Sequence, residues 1–208
     1  KFDFVNYGKS GLRMSELLPN LGEVADDLLL IRSLQTDHVL HEAAMTILFT
    51  GTPLLGRPSW GAWTSYALGD GKGNLPEFVV LLSNPDPGTP LHPRLWHNGF
   101  LAGRHQGVPF RSGKEPVLFV DNPPGVDKSA RERQLQALRE LNGHEGKRTG
   151  DPDADARLAA YETAARMQTS VPELADLKQE PPELLEEYGA EIGRPSFANN
   201  CVLARRLL

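Results

Sequence analysis

The chain has 208 residues, 39% apolar and 24% charged, enough for one sizeable core and too ordinary in composition to be fibrous or disordered. Its net charge of −5 is spread over both halves without the basic patch a nucleic-acid backbone requires, which excludes nucleic acid as a partner. No apolar run approaches the roughly 18 residues of a membrane span, and a single cysteine, Cys201, excludes an internal disulfide.

Taken in chain order, the first element signal is a short helix over residues 16–26. It is followed by the unbroken apolar run Leu28-Leu29-Leu30-Ile31. Such runs suit strands buried on both faces of a parallel sheet. An Ala-rich helix follows over 41–49, with Gly51 to end it, and another over 58–68, ending at Gly69. On the latter, Trp60, Trp63 and Tyr66 share helical spacing and read as core. Phe78-Val79-Val80-Leu81-Leu82 is a second strand, bounded by Pro76 and by Asn84-Pro85. Residues 83–113 are rich in Pro and Gly and read as a long loop holding His92, His97 and His105. Val117-Leu118-Phe119-Val120 is a third strand candidate.

The second half reads as mostly helical. Asp127 caps a helix over 128–141 with the stripe Leu135, Leu138 and Leu141. A polar linker over 142–153 holds His144 and ends in the start signal Asp151-Pro152. The next helix carries Ala154, Leu158, Tyr161 and Ala165 on one face. A short helix over 183–188 stops at Gly189. Ser196 caps a last one, whose Phe197, Cys201, Ala204 and Leu208 form an apolar face that should pack on something. No Gly, Asn or Pro ends this helix, so the expectation is a longer parent chain.

Chemistry concentrates after the first apolar run. Thr36, Asp37, His38 and His41 place hydroxyl, carboxylate and imidazole groups where a strand would meet a helix N-terminus. Open α/β sheets bind ligands beyond the carboxyl ends of their strands, and helix N-termini favour anions. The same residues also suit a plainer role, with Thr36 or Asp37 capping a turn and the histidines in a loop. Arg57 stands just before a second helix start and is a candidate for an anion or for solvent.

The segment Thr36-Asp37 to His41, followed by Phe49-Thr50-Gly51, resembles the nucleophile-helix region of the alkaline phosphatase superfamily. Counting back ten residues from Gly51 lands on His41, the position of that superfamily's attacking residue. Longer strings are similar to domain-of-unknown-function family 1501, grouped with the sulfatases. They are Gly56-Arg57-Pro58-Ser59-Trp60-Gly61-Ala62-Trp63, Asn74-Leu75-Pro76-Glu77-Phe78-Val79-Val80-Leu81, and Gly99-Phe100-Leu101 with His105-Gln106-Gly107-Val108. Two more are Tyr161-Glu162, running on through Arg166-Met167-Gln168-Thr169-Ser170-Val171-Pro172-Glu173-Leu174, and Ala198-Asn199-Asn200-Cys201-Val202-Leu203-Ala204-Arg205-Arg206-Leu207.

The resemblance implies a partial alkaline-phosphatase-like α/β fold over 1–208, a mostly parallel sheet flanked by helices. Residues 1–125 would be the sheet-and-helix core, 126–193 a helical excursion and 194–208 a core helix. It implies metal-dependent hydrolysis of phosphate or sulfate esters, using a divalent Zn, Ca or Mg whose ligands lie largely outside this stretch, and export to the periplasm. His41 and Asp37 would be catalytic, with His41 also a possible metal ligand. Thr36, Arg57, Ser59, His105 and Gln106 would hold the anion. The partner would be a small anionic ester or a sulfated or phosphorylated glycan. His41 departs from the superfamily's Ser, Thr or modified Cys, and Leu40 and Ala43 stand where the family has Asn and Pro. The alternative is therefore a non-catalytic member that binds an anionic glycan or a protein.

Three expectations follow for the structure. Residues 28–34 and 78–83 should be adjacent parallel strands, and the segment alone should expose enough apolar surface to aggregate. His41 should open a helix at the carboxyl end of the sheet, facing a polar cleft. In that setting His41→Ala should abolish anion or metal binding and leave stability within about 1–2 kcal/mol, as binding calorimetry and thermal melts on the full-length protein would show.

Overall fold

A computed structural model describes residues 2–70, 73–83, 92–111, 116–118, 122–150 and 152–208. The described residues form a mixed α/β fold with two two-stranded sheets, and they divide into two compact units, Lys1–Asp37 and His38–Leu208.

The first unit is built on a hairpin that the sequence reading did not foresee. Strands β1 (Phe4–Tyr7) and β2 (Leu12–Ser15) pair antiparallel, Phe4 opposite Ser15 and Tyr7 opposite Leu12. Gly8 and Gly11 turn the chain between them with positive φ, 63° and 65°. A side chain at Gly8 would also collide with Asp26, since its Cβ would lie 2.5 Å from Oδ1. That Asp26 carboxylate accepts the turn's backbone N–H groups of Lys9 (2.9 Å) and Ser10 (2.8 Å). These two bonds hold its pKa below the ordinary carboxylate value. The helix expected over 16–26 is shorter, α1 (Pro19–Glu23), and gives way to a 3-10 turn at Ala25–Asp27.

The run Leu28 to Ile31 is not a strand. Leu29 is 87% exposed, and the segment pairs with nothing in either sheet. Apolar β-prone residues bias the backbone toward extended angles, but a strand exists only where a second segment supplies its hydrogen bonds. The expected pairing of 28–34 with 78–83 is therefore overturned, and with it the placement of His41 at the end of such a strand.

The second unit holds α2 (His41–Thr50) and α3 (Trp60–Leu68), followed by strand β3 (Val79–Leu82). The partner of β3 is β4 (Val108–Arg111), parallel, with Val79 opposite Val108 and Leu82 opposite Arg111. Its Val-Pro-Phe-Arg sequence lies within the Pro/Gly-rich stretch 83–113, which by composition reads as a loop. Pro109 lacks an N–H, which a strand at the edge of a sheet tolerates. The third strand candidate is not one at Val117 and Leu118, which lie in a bend and turn. Phe119 and Val120, together with the Asn84-Pro85 boundary and the Asp151 cap, fall outside the described residues.

Helix α4 (Lys128–Thr149) starts at the predicted cap, Asp127, whose carboxylate accepts from the Ala130 N–H at 2.7 Å. It runs past Leu141 to a left-handed Gly150, so the expected linker over 142–153 is mostly helix. A glycine inside a helix costs only about 1 kcal/mol, and packing of α4 against α5 (Pro152–Ala175) outweighs it at Gly143. Arg139 Nε ties the pair by donating to Glu162 Oε1 at 3.0 Å. Helices α6 (Pro182–Tyr188) and α7 (Phe197–Leu207) complete the unit.

The core forms where α5 and α7 cover the β3–β4 pair. Phe110, Met167, Val171 and Leu203 are buried together, with Val79, Leu81 and Val108 packed around them. Three expected faces are corrected. On α7 the buried residues are Asn199, Asn200, Val202 and Leu203, while Phe197 is 74% exposed. The Nδ2 donors of both buried amides are in use, while Asn200 Oδ1 has no partner. Asn199 Nδ2 donates to the carbonyls of Glu191 (2.7 Å) and Arg194 (2.9 Å), and Asn200 Nδ2 to Ser83 Oγ at 3.0 Å. On α5 the core side chains are Met167 and Val171, and Tyr161 is exposed. On α3 the buried face is made of Ala62 and Ser65, and Trp60, Trp63 and Tyr66 point outward, Trp60 at 61% exposure. Small residues win there because the Phe78 ring lies against the helix. A Cβ on Gly61 would sit 2.2 Å from that ring.

Among the described residues, no helix is long and apolar enough to cross a membrane. Phe110 is wholly buried between sheet and helices. Phe110→Ala should therefore cost about 3–5 kcal/mol, read as a lowered urea midpoint.

Candidate functional site

The site begins with α3. Ser59 is fully buried and caps the helix, its Oγ accepting from the Ala62 N–H at 3.3 Å, while its own N–H donates to the His97 carbonyl at 3.0 Å. Nearly two helical turns on, Ser65 faces inward. There it meets Glu77, just before β3, and His105, at the end of the 3-10 turn Gly103–His105.

These groups form a directed chain. Arg104 Nε can only donate, and it lies 3.1 Å from His105 Nε2, which must therefore accept. That places the imidazole proton on Nδ1, 2.8 Å from Ser65 Oγ. Ser65 accepts this proton and donates its own to Glu77 Oε2 at 2.6 Å. The imidazole is 4% exposed. Burial first, and the Arg104 charge second, hold its pKa below the ordinary 6.5, against a smaller opposing pull from Glu77. The Tyr66 ring closes over it edge to face.

Glu77 and Arg104 also line a cavity of about 390 Å³. Its other walls come from α4, through Arg131, and from α5, through Glu162 and Arg166. Arg131 Nε and Arg166 Nε are shielded from solvent and have no hydrogen-bond partner. Arg166 Nη2 donates to Thr163 Oγ1 at 3.1 Å, and that hydroxyl donates to the Ala159 carbonyl at 2.9 Å. Three arginines face two carboxylates, and one of these, Glu162, already accepts from Arg139. Positive charge is in excess, and buried guanidinium N–H groups need acceptors. The cavity is chemically suited to an anion.

The residues singled out from sequence are dispersed. Thr36 and Asp37 are exposed residues of the first unit. His41 is exposed at the first position of α2 in the second unit. The first turn there already carries an acid, Glu42, which pairs with Arg94 and lies 3.7 Å from His92 Nε2. Arg94, first as hydrogen-bond donor and then as charge, holds the Glu42 pKa below its ordinary value. Arg57 is exposed with its guanidinium 6.0 Å from the Phe100 ring centroid. His97 Nδ1 accepts from the Gly99 N–H at 2.8 Å. Gln106 lines the cavity, and His105 stands behind it through its contact with Arg104. The Gln106 amide is engaged with backbone, accepting from Asn98 N–H at 3.1 Å and donating to the Trp96 carbonyl at 3.1 Å.

Ser65, Glu77, Arg104, Arg131 and Arg166 went unnoticed in the sequence. Glu77 and Arg166 sit within the family-like strings, but nothing in their spacing joins them. Arg131 belongs to a charged helix that reads as a solvated face. Among the described residues, no three His, Cys, Asp or Glu side chains converge as a cation would need.

The buried relay has a pH signature. A histidine whose folded pKa is depressed stabilises the fold fully above its unfolded value, 6.5, and that stability falls as pH drops below it. Imidazole NMR should show His105 as the Nδ1–H tautomer titrating below 6.5. Thermal stability should fall from pH 6.5 downward, and less steeply in His105→Asn.

Neither the curated proteins nor the solved structures provide a match to this chain. One family model matches it from end to end, residues 1–208, under the description of a protein of unknown function, DUF1501. With the whole length covered, the chain belongs to the DUF1501 family.

Proposed function

We propose that this chain is part of a protein that recognises phosphate or sulfate esters, with the arginine-lined cavity receiving the anionic group. The observation that carries the reading is the pair Arg131 and Arg166, from two different helices, each with a shielded Nε lacking an acceptor at one cavity. The planar guanidinium fork can donate to two oxygens of a tetrahedral sulfate or phosphate at once, which no other side chain does as well. The resemblance to the alkaline-phosphatase-like fold supports the same substrate class and adds ester hydrolysis with a divalent metal, in an exported protein.

A second reading, binding without hydrolysis, is favoured by the hydroxyls. The Ser65 hydroxyl donates its hydrogen bond to Glu77, and the Thr163 hydroxyl donates to a helix carbonyl. Neither is poised to attack an ester, and His41 stands where relatives in the superfamily carry their nucleophile.

Calorimetric titration of the purified protein with sodium sulfate and sodium phosphate tests the anion reading. Arg166→Gln and Arg131→Gln should each weaken binding about tenfold or more, and His41→Ala should leave binding at this cavity unchanged. Unaltered binding in both arginine variants would remove the cavity from the proposal. Release of phenol from phenyl phosphate or phenyl sulfate, with added Zn, Mg or Ca, separates the hydrolytic from the binding reading.

A further inference from the structure

We infer that the cavity takes an organic ester, an anionic head carried on an apolar body about the size of one ring, and not a bare oxyanion. The inference rests on the anion reading above and specifies its ligand.

Size is the first argument. The cavity holds about 390 Å³, and one water occupies about 30 Å³ of liquid. A sulfate or phosphate ion, only a few waters in size, leaves most of that space unfilled. The second argument is the chemistry of the remaining wall. Leu75, Val108, Val117, Ala160 and Met167 line it with carbon. Water held against such a surface lacks hydrogen-bond partners, and an apolar group that displaces it gains free energy. The charged groups are few: Arg131 and Arg166 with their shielded Nε atoms, Arg104, and the two glutamates, while the neutral Gln106, Thr163 and Gln168 complete the polar lining. A mostly apolar concavity with a small number of placed charges is the form of a small-molecule site.

The third argument is rigidity. Arg104 is held through its Nε by His105, which is held in turn by Ser65 and Glu77. The remaining donors of Arg104 are thereby oriented in advance at one wall of the cavity. Met167 is fixed by the core beneath it. A preformed site of this kind loses little entropy on binding and rewards a ligand that fits both parts.

The test is a calorimetric comparison of phenyl sulfate, phenyl phosphate, sodium sulfate, sodium phosphate and phenol near neutral pH, using the intact protein. The expected result is that at least one ester binds about tenfold or more tightly than its inorganic anion and than phenol. Ala160 is exposed at the cavity wall on α5. Ala160→Leu should remove that advantage while inorganic binding stays within about twofold. Arg166→Gln should weaken esters and inorganic anions together. Cooperative melting of each variant checks its fold, and Arg131→Gln, on the other helix, replaces Arg166→Gln if that variant does not fold. If the esters bind no more tightly than the inorganic ions, and the arginine variants still weaken both, the ester inference is overturned and the anion reading survives. If phenol matches the esters and the arginine variants change nothing, both fall, as they do if none of the five compounds binds.

Discussion

A two-stranded parallel sheet cannot stand alone in water, and the second unit is organised around covering one. Parallel pairs need both faces buried, and two strands supply too little surface to form without packing. Here α5 and α7 provide that packing, with Phe110 of β4 buried among Met167, Val171 and Leu203. The consequences reach well past the core. Because α5 must present Met167 and Val171 to the sheet, the preceding turns of the same helix bring Glu162, Thr163 and Arg166 to the cavity wall. The Arg139–Glu162 contact then ties α4 to α5, and α4 contributes Arg131. Sheet coverage and cavity chemistry share one helix.

The ends of these elements show how buried polar groups are met. Arg206 on α7 donates to the carbonyls of Leu174 (2.6 Å) and Glu173 (3.0 Å) at the end of α5 and also pairs with Glu180. A cation at a helix C-terminus satisfies orphan carbonyls and complements the dipole. The Arg104–His105–Ser65–Glu77 chain is satisfied in the same manner, each hydrogen having one donor and one acceptor. Buried polar groups in folded proteins nearly always have a partner; among the described residues Arg94 Nε, Arg131 Nε, Arg166 Nε and Asn200 Oδ1 lack one, and of these Arg131 and Arg166 line the same cavity.

The outward-facing aromatics of α3 illustrate a limit of periodicity. Trp60, Trp63 and Tyr66 have the spacing of a buried stripe, yet the stripe that is buried is Ala62 and Ser65. Two stripes of one helix carry the same period, and which of them meets a neighbour depends on what the neighbour brings. The Phe78 ring needs a flat, side-chain-free surface, and Gly61 provides it. The aromatic rings pair instead with each other and with Phe100, Trp63 lying 5.9 Å from Tyr66 and 5.7 Å from Phe100. On α7 the same competition buried two asparagines in place of Phe197, because their amides close hydrogen bonds to nearby loop carbonyls and to Ser83.

Local chemistry was legible in the sequence wherever it was sufficient by itself. Asp127 and Ser196 each cap the helix predicted for them, since a cap needs only a hydroxyl or carboxylate three residues from a free N–H, and Ser59, expected to hold an anion, caps α3 in the same way. Gly51 and Gly189 end their helices in the left-handed conformation that glycine adopts without strain. His41 opens α2, as its position before an Ala-rich segment implied. The tertiary structure decided everything that needed a distant partner. It left residues 28–31 unpaired, gave β3 the Pro-containing β4 as its neighbour, and drew Glu77, Arg104, Arg131 and Arg166 from separate elements to one cavity. Strand pairing and convergent charge are relations between segments far apart in the chain. No window along the sequence contains both members of such a relation, so only the folded chain could define the site.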